Sequence, residues 1–155
     1  MKRTHYLSAF AAIMMAFMAL CCNAGAQNTT KANSTEPKLI IELTSEQFKK
    51  LVYDIEDDNM TYLGNKPAIV DFMAYWCLPC LKTEKILKEL AIEYKDRIVI
   101  YKVNIEKCPD IAEAFDIQMI PAVLYIPLDG EPSMTIGARS KAKFQQEIDK
   151  ILLGK

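Results

Sequence analysis

Ala68-Ile69-Val70-Asp71-Phe72-Met73-Ala74-Tyr75-Trp76-Cys77-Leu78-Pro79-Cys80 is the stretch on which the fold turns. Ala68 to Ala74 is an apolar run of strand length, interrupted only by Asp71, which is the pattern of a strand covered on both faces. From Leu81 to Asp96, Ile86, Leu87, Leu90, Ala91 and Tyr94 recur at helical spacing, so a helix with one apolar face follows. The two cysteines stand at the joint between them. Residues i and i+3 lie on one side of a helical turn, so both sulfurs sit on the first turn, within disulfide reach.

Outward from this joint the chain alternates. Lys38 to Leu43 is β-rich, and Thr44-Ser45-Glu46-Gln47 is a capping box with Thr44 as N-cap. Phe48, Leu51, Val52 and Ile55 continue it at helical spacing, and Asp57 to Lys66 is a polar loop. After the central helix, Arg97 to Ile105 alternates like a strand, and Pro109 to Phe115 is a short helix with proline in its first turn. Ala122 to Ile126 is a strand, Asp129-Gly130 a turn and Ser133 to Ile136 a partner strand. Ser140 to Leu153 closes the chain as a helix that turns Phe144, Ile148, Ile151 and Leu152 inward. The order β-α-β-α-β-α-β-β-α implies parallel pairs joined by helices and one antiparallel hairpin. The expected class is α/β, a mixed central sheet with helices on both faces.

The chain has 155 residues, 51% hydrophobic and 25% charged, enough for one domain with a core. Nineteen basic residues against 20 acidic ones give no surplus that would point to nucleic acid. Residues 1–26 read as an export signal: Lys2 and Arg3, an uncharged apolar run from Tyr6 to Cys22, then Ala24-Gly25-Ala26 as a small-x-small cleavage site. The alternatives are an uncleaved membrane anchor or lipidation at Cys21 or Cys22, although the run is shorter than the ~20 residues of a spanning helix. Gln27 to Pro37 is a polar tether, and residues 38–155 form the folded domain. Cleavage after Ala26 leaves 129 residues with 17 basic and 20 acidic groups, three cysteines and no histidine, because His5 departs. That excludes Ser-His-Asp and Cys-His nucleophile pairs and histidine-bearing metal sites from the mature chain. The five glycines are too scattered for a phosphate-cradling loop. Met60, Met73, Met119 and Met134 are likewise too scattered to form a ligand cluster. Three cysteines are also an odd set for a disulfide framework.

At a helix N-terminus, free N–H groups and the macrodipole favour a thiolate on Cys77, and Pro79 costs no hydrogen bond there. Lowering a thiol pKa from ~8.5 to ~7 raises the thiolate fraction at pH 7 about sixteen-fold. Intrinsic nucleophilicity falls by roughly five-fold, leaving about three-fold in attack rate. The larger advantage is that Cys77 becomes a good leaving group, so Cys77 attacks and Cys80 resolves. The competing reading of Cys-x-x-Cys is half of a zinc site, which here would need a borrowed carboxylate. Asp71 is either a strand carboxylate facing solvent or a buried group of raised pKa that takes and returns the Cys80 proton, with Lys102 moderating the shift. Ile120-Pro121 is either an ordinary trans strand boundary or a cis bond presenting the Ile120 backbone toward the thiols. Cys108 is a packed thiol or a third redox group.

These residues resemble the thioredoxin family. Val70 to Cys80 is similar to its V-D-F-W-A-x-W-C-G-P-C, Lys102 to Glu106 to its K-x-N-[IV]-D, Ile120-Pro121-Ala122 to its I-P-T, and Ile136-Gly137-Ala138 to its V-G-A. The match runs in order from about Leu39 to Leu153. The resemblance implies the thioredoxin fold and a thiol–disulfide oxidoreductase with no bound cofactor or metal. It implies Cys77 as attacking thiol, Cys80 as resolving thiol, Asp71 as buried proton carrier and Lys102 as its neighbour. Trp76, Leu78, Pro79, Ile120 and a cis Pro121 would form the client surface. Leu78 in place of glycine, Met73 in place of a second tryptophan and Lys85 in place of a helix-kinking proline are departures, as is a hairpin lengthened by one residue.

With the export signal, the expected protein is a monomer in a bacterial envelope, most simply a periplasm. It would reduce disulfide-bearing proteins with electrons from a membrane-embedded dithiol donor. The rival readings are an oxidase or isomerase of the same class, a thiolate copper carrier and a binding module with incidental thiols. The copper carrier lacks its usual C-x-x-x-C-P and distant histidine.

Overall fold

The computed structural model describes residues 39–155. The signal and tether readings on residues 1–37, and Lys38, lie outside them. Five strands form one mixed sheet: β1 (Ile41–Leu43), β2 (Ala68–Met73), β3 (Val99–Asn104), β4 (Ala122–Ile126) and β5 (Ser133–Ile136), in the spatial order β1-β3-β2-β4-β5. β3 runs parallel to both β1 and β2, while β4 is antiparallel to β2 and to β5. The two parallel pairs and the terminal hairpin are as expected, whereas β4, although it follows a helix, enters antiparallel to β2 rather than parallel. β2, rich in apolar and β-branched residues and buried throughout, is the middle strand.

Helices cover both faces. α1 (Ser45–Leu51) and α3 (Pro109–Ala114) pack Phe48 and Ile111 against Val70, Phe72 and Leu124. On the other face α2 (Leu78–Glu93) and α4 (Lys141–Glu147) pack Leu87, Leu90 and Phe144 against Ile69, Ile100, Val123 and Tyr125. Successive strand residues point to opposite faces, so Ile69, Asp71 and Met73 all face α2. The Thr44 capping box forms as read: Gln47 N–H donates to Thr44 Oγ1 at 3.3 Å, and Thr44 N–H to Gln47 Oε1 at 3.0 Å.

Three local departures have physical causes. α1 stops at Leu51 rather than reaching Ile55, because Asp54 Oδ1 captures the Glu56 N–H at 3.0 Å and makes a side-chain turn. α2 starts at Leu78 rather than Leu81, since Cys77 itself caps it; with Lys85 in its middle it runs without a break for 16 residues. The closing helix changes at Glu147 into a π-helical turn over Ile148–Leu152, closed by Leu153 N–H donating to Ile148 O at 3.2 Å. Cys108 is a packed thiol: it is buried at the start of α3, and its Sγ lies 3.6 Å from Leu43 O.

Candidate active site

The site lies where β2 ends and α2 begins. Cys77 is the N-cap of α2 in extended backbone, its Sγ accepts the Cys80 N–H at 3.2 Å, and Pro79 occupies the first turn. Cys77 and Cys80 are joined as a disulfide with their Cα atoms 5.2 Å apart. The two cysteines are not equally buried. Cys80 is fully buried, whereas Cys77 keeps 5% exposure beside Trp76 and Leu78, which are 67% and 70% exposed. The Trp76 indole is fixed from outside the motif, donating to Glu106 Oε1 at 2.9 Å.

Pro121 heads β4, and the Ile120–Pro121 bond is cis. Ile120 packs against the small cluster of Met73, Ala74, Cys77 and Cys80. Gly137 anchors the same corner, donating its N–H to Pro121 O at 2.8 Å with φ +89°, a backbone conformation in which a side chain would be strained. The sequence motifs at residues 70–80, 120–122 and 136–138 therefore meet at one end of the sheet.

Asp71 does not face solvent. It is fully buried, and neither carboxylate oxygen has a hydrogen-bond partner among the described residues. On its strand it stands between Ile69, which shares a cluster with Leu87, and Met73, which shares one with Cys80. It therefore faces the α2 turn of Thr83 and Glu84. Burial pushes its carboxyl up to about 7, the negative charge of Glu84 adds to the rise, and the positive charge of Lys102 opposes it.

Lys102 pairs in register with Asp71 on one side and with Glu42 on the other. Its ammonium, however, is held by Glu84 Oε1 at 3.2 Å and Glu42 Oε2 at 3.5 Å, and no ion pair with Asp71 forms. Glu84 in turn meets Lys88 at 3.0 Å one turn on. Burial works against charge on both Lys102 and Glu84. Hydrogen bonding and opposite charge prevail, so Lys102 is held above the usual lysine value and Glu84 below the usual carboxylate value. Glu42 lies below its ordinary value too, chiefly through the Tyr75 hydroxyl, which donates to its Oε1 at 2.6 Å, with Lys107 and Lys102 adding to the effect against burial. Sequence reasoning identified Lys102 but missed Glu84, Glu42, Tyr75 and Glu106. Glu84 and Lys88, four apart on a helical pattern, were the one local signal available.

The family profile described as Thioredoxin matches residues 39–150. The chain belongs to the thioredoxin family. It is 37% identical over 111 residues to a thioredoxin of Borreliella burgdorferi, covering 71% of this chain and 95% of that one. Thioredoxin C-2 of Corynebacterium nephridii is 36% identical over 111 residues, covering 71% and 94% of the two chains. The solved structure of chloroplastic thioredoxin z superposes with a TM-score of 0.61 at 26% identity, covering 72% of this chain and 93% of that one. The fold is therefore the thioredoxin fold, and this thioredoxin-family chain is a thiol–disulfide oxidoreductase, a protein-disulfide reductase acting on disulfide-bearing proteins through its Cys77–Cys80 pair. Among the described residues no group of three His, Cys, Asp or Glu is placed to hold a metal ion, and no helix is long and apolar enough to cross a membrane.

Proposed function

We propose that the chain is an exported, monomeric reductase of protein disulfides, working in a bacterial envelope, most simply the periplasm, and recharged by a membrane-embedded dithiol donor. The unequal burial of the two cysteines supports the order of events: 5% residue exposure at Cys77 against none at Cys80. The Cys77 thiolate attacks a client disulfide, forming a mixed disulfide and expelling one client thiolate. Asp71 takes the Cys80 proton, and the Cys80 thiolate attacks Cys77 Sγ. The second client thiolate leaves and collects the proton, so two electrons pass to the client and Cys77–Cys80 closes as a disulfide. Trp76, Leu78, Pro79, Ile120 and Pro121 surround the exchange. Two of them, Trp76 and Leu78, offer exposed apolar surface to an extended client segment, whose backbone can pair with that of Ile120. The export reading rests on Lys2, Arg3, the apolar run and Ala24-Gly25-Ala26.

The redox potential of the Cys77–Cys80 couple tests the direction. A value near that of ordinary thioredoxins, roughly −270 mV, supports the reductase, and one near the roughly −120 mV of strong oxidants replaces it with an oxidase. Cys80→Ala should accumulate covalent client adducts through Cys77, and Cys77→Ser should abolish insulin reduction. The absence of adducts under any oxidising condition refutes the order of attack. A mature N-terminus at Gln27 supports cleavage, while recovery of the whole chain or a lipidated form in membranes refutes it.

A further inference from the structure

The proton relay has a feature that the motif alone does not contain. A lysine next to a buried carboxylate in strand register would ordinarily pair with it and favour its ionised form. Here Lys102 pairs with other carboxylates instead. Glu84 reaches it from α2 at 3.2 Å and Glu42 from β1 at 3.5 Å, and all three side chains are largely shielded from solvent. Shielding strengthens each of these attractions relative to a surface pair.

Each element packed around Asp71 brings its own groups to it. β3 contributes Lys102. α2 contributes Glu84, with Lys88 on its outer side, the buried Cys80 and the uncharged Thr83. β4 contributes only the apolar Val123, the register partner of Asp71. Beyond Lys102, β1 contributes Glu42, which also receives Tyr75 and Lys107. Removing the negative charge of Glu84 from this set leaves Lys102 with Glu42 at 3.5 Å, a carboxylate already shared with Tyr75 and Lys107, and with its buried neighbour Asp71.

We propose that Glu84 is a positioning residue of the relay: its carboxylate engages the Lys102 ammonium in place of Asp71, and so keeps Asp71 ready to accept a proton. The functional consequence rests on the reading of Asp71 as the Cys80 proton acceptor. The Glu84 carboxylate contacts Lys102 and Lys88. It acts through Lys102 and through its own negative charge, which the direction of the Asp71 shift also reflects.

The experiment follows the Asp71 carboxyl carbon resonance against pH in the intact oxidised chain, where thiols do not titrate. Glu84→Gln should lower the Asp71 midpoint by about one unit, at the low end of what a nearby charge commands. Glu84→Asp, which keeps the charge, should restore most of that shift, and Lys88→Gln should leave the midpoint in place. An unchanged midpoint in Glu84→Gln overturns the proposal, as does an equal fall in Glu84→Asp. A second readout separates this from the reading beneath it: the acid limb of the pH–rate profile for client release from the Cys77 mixed disulfide. If the midpoint and the limb move together, both stand. If the midpoint moves and the limb does not, Glu84 does set Asp71, and Asp71 is not the proton acceptor. If Glu84→Gln fails to fold, Glu84→Ser carries the same test, with the same expected fall in the Asp71 midpoint; a midpoint that stays put overturns the proposal.

Discussion

Replacing Asp71 by Asn removes a buried carboxylate whose ionisation the fold resists. Its carboxyl is pushed from 3.8 to about 7, chiefly by burial. A rise of about three units corresponds to roughly 4 kcal/mol of difference between the protonated and ionised forms. The sign follows from proton binding: between 3.8 and 7 the folded chain holds a proton that the unfolded chain has released, so stability falls as pH rises. The penalty is absent below the unfolded value, grows through this window, and is complete above about 7. Asn carries no such penalty. Asp71→Asn should therefore match the parent chain within about 1 kcal/mol near pH 4 and exceed it by roughly 4 kcal/mol near pH 9. For a domain of this size that is a rise of about 15 °C in Tm. Guanidinium unfolding of the oxidised forms across pH 4–9 measures it, and groups common to both chains cancel in the difference. A difference that stays flat across that range would refute the claim that Asp71 ionises at a cost to the fold.

Two further outcomes follow from single contacts. Tyr125→Phe removes a buried hydroxyl that donates to Glu147 Oε2 at 2.6 Å, leaving that side chain, among the described residues, its 3.4 Å contact with Arg139. It should destabilise by about 1–3 kcal/mol in denaturant unfolding, and a loss below about 0.5 kcal/mol would show that the bond contributes nothing. Leu78→Gly removes an exposed apolar side chain from the rim of Cys77. It should cost about 1 kcal/mol or less in stability while raising KM for apolar clients by up to about ten-fold; an unchanged KM would show that Leu78 makes no client contact.

The joint at Cys77 was legible because its signals are short in range. An apolar strand, a cap, a proline in the first turn and a helical stripe all lie within residues 68–96, and each depends on neighbours along the chain. The Thr44 capping box and the β4–β5 hairpin were legible for the same reason. The family resemblance added what local pattern left open, namely a cis Pro121 and a buried Asp71.

Residues 68–80 determined by themselves that a strand feeds a helix with two thiols on its first turn, because backbone periodicity and capping act between near neighbours. Only the folded sheet decided the environment of those thiols. Alternation states which residues share a face, but not what covers that face; α2 covers Asp71, and β1, β3 and α2 bring Glu42, Lys102 and Glu84 together from positions spread over 60 residues of the chain. Charge and burial act through space, so the proton affinity of Asp71 belongs to the assembled layers, and no segment of the chain carries it alone.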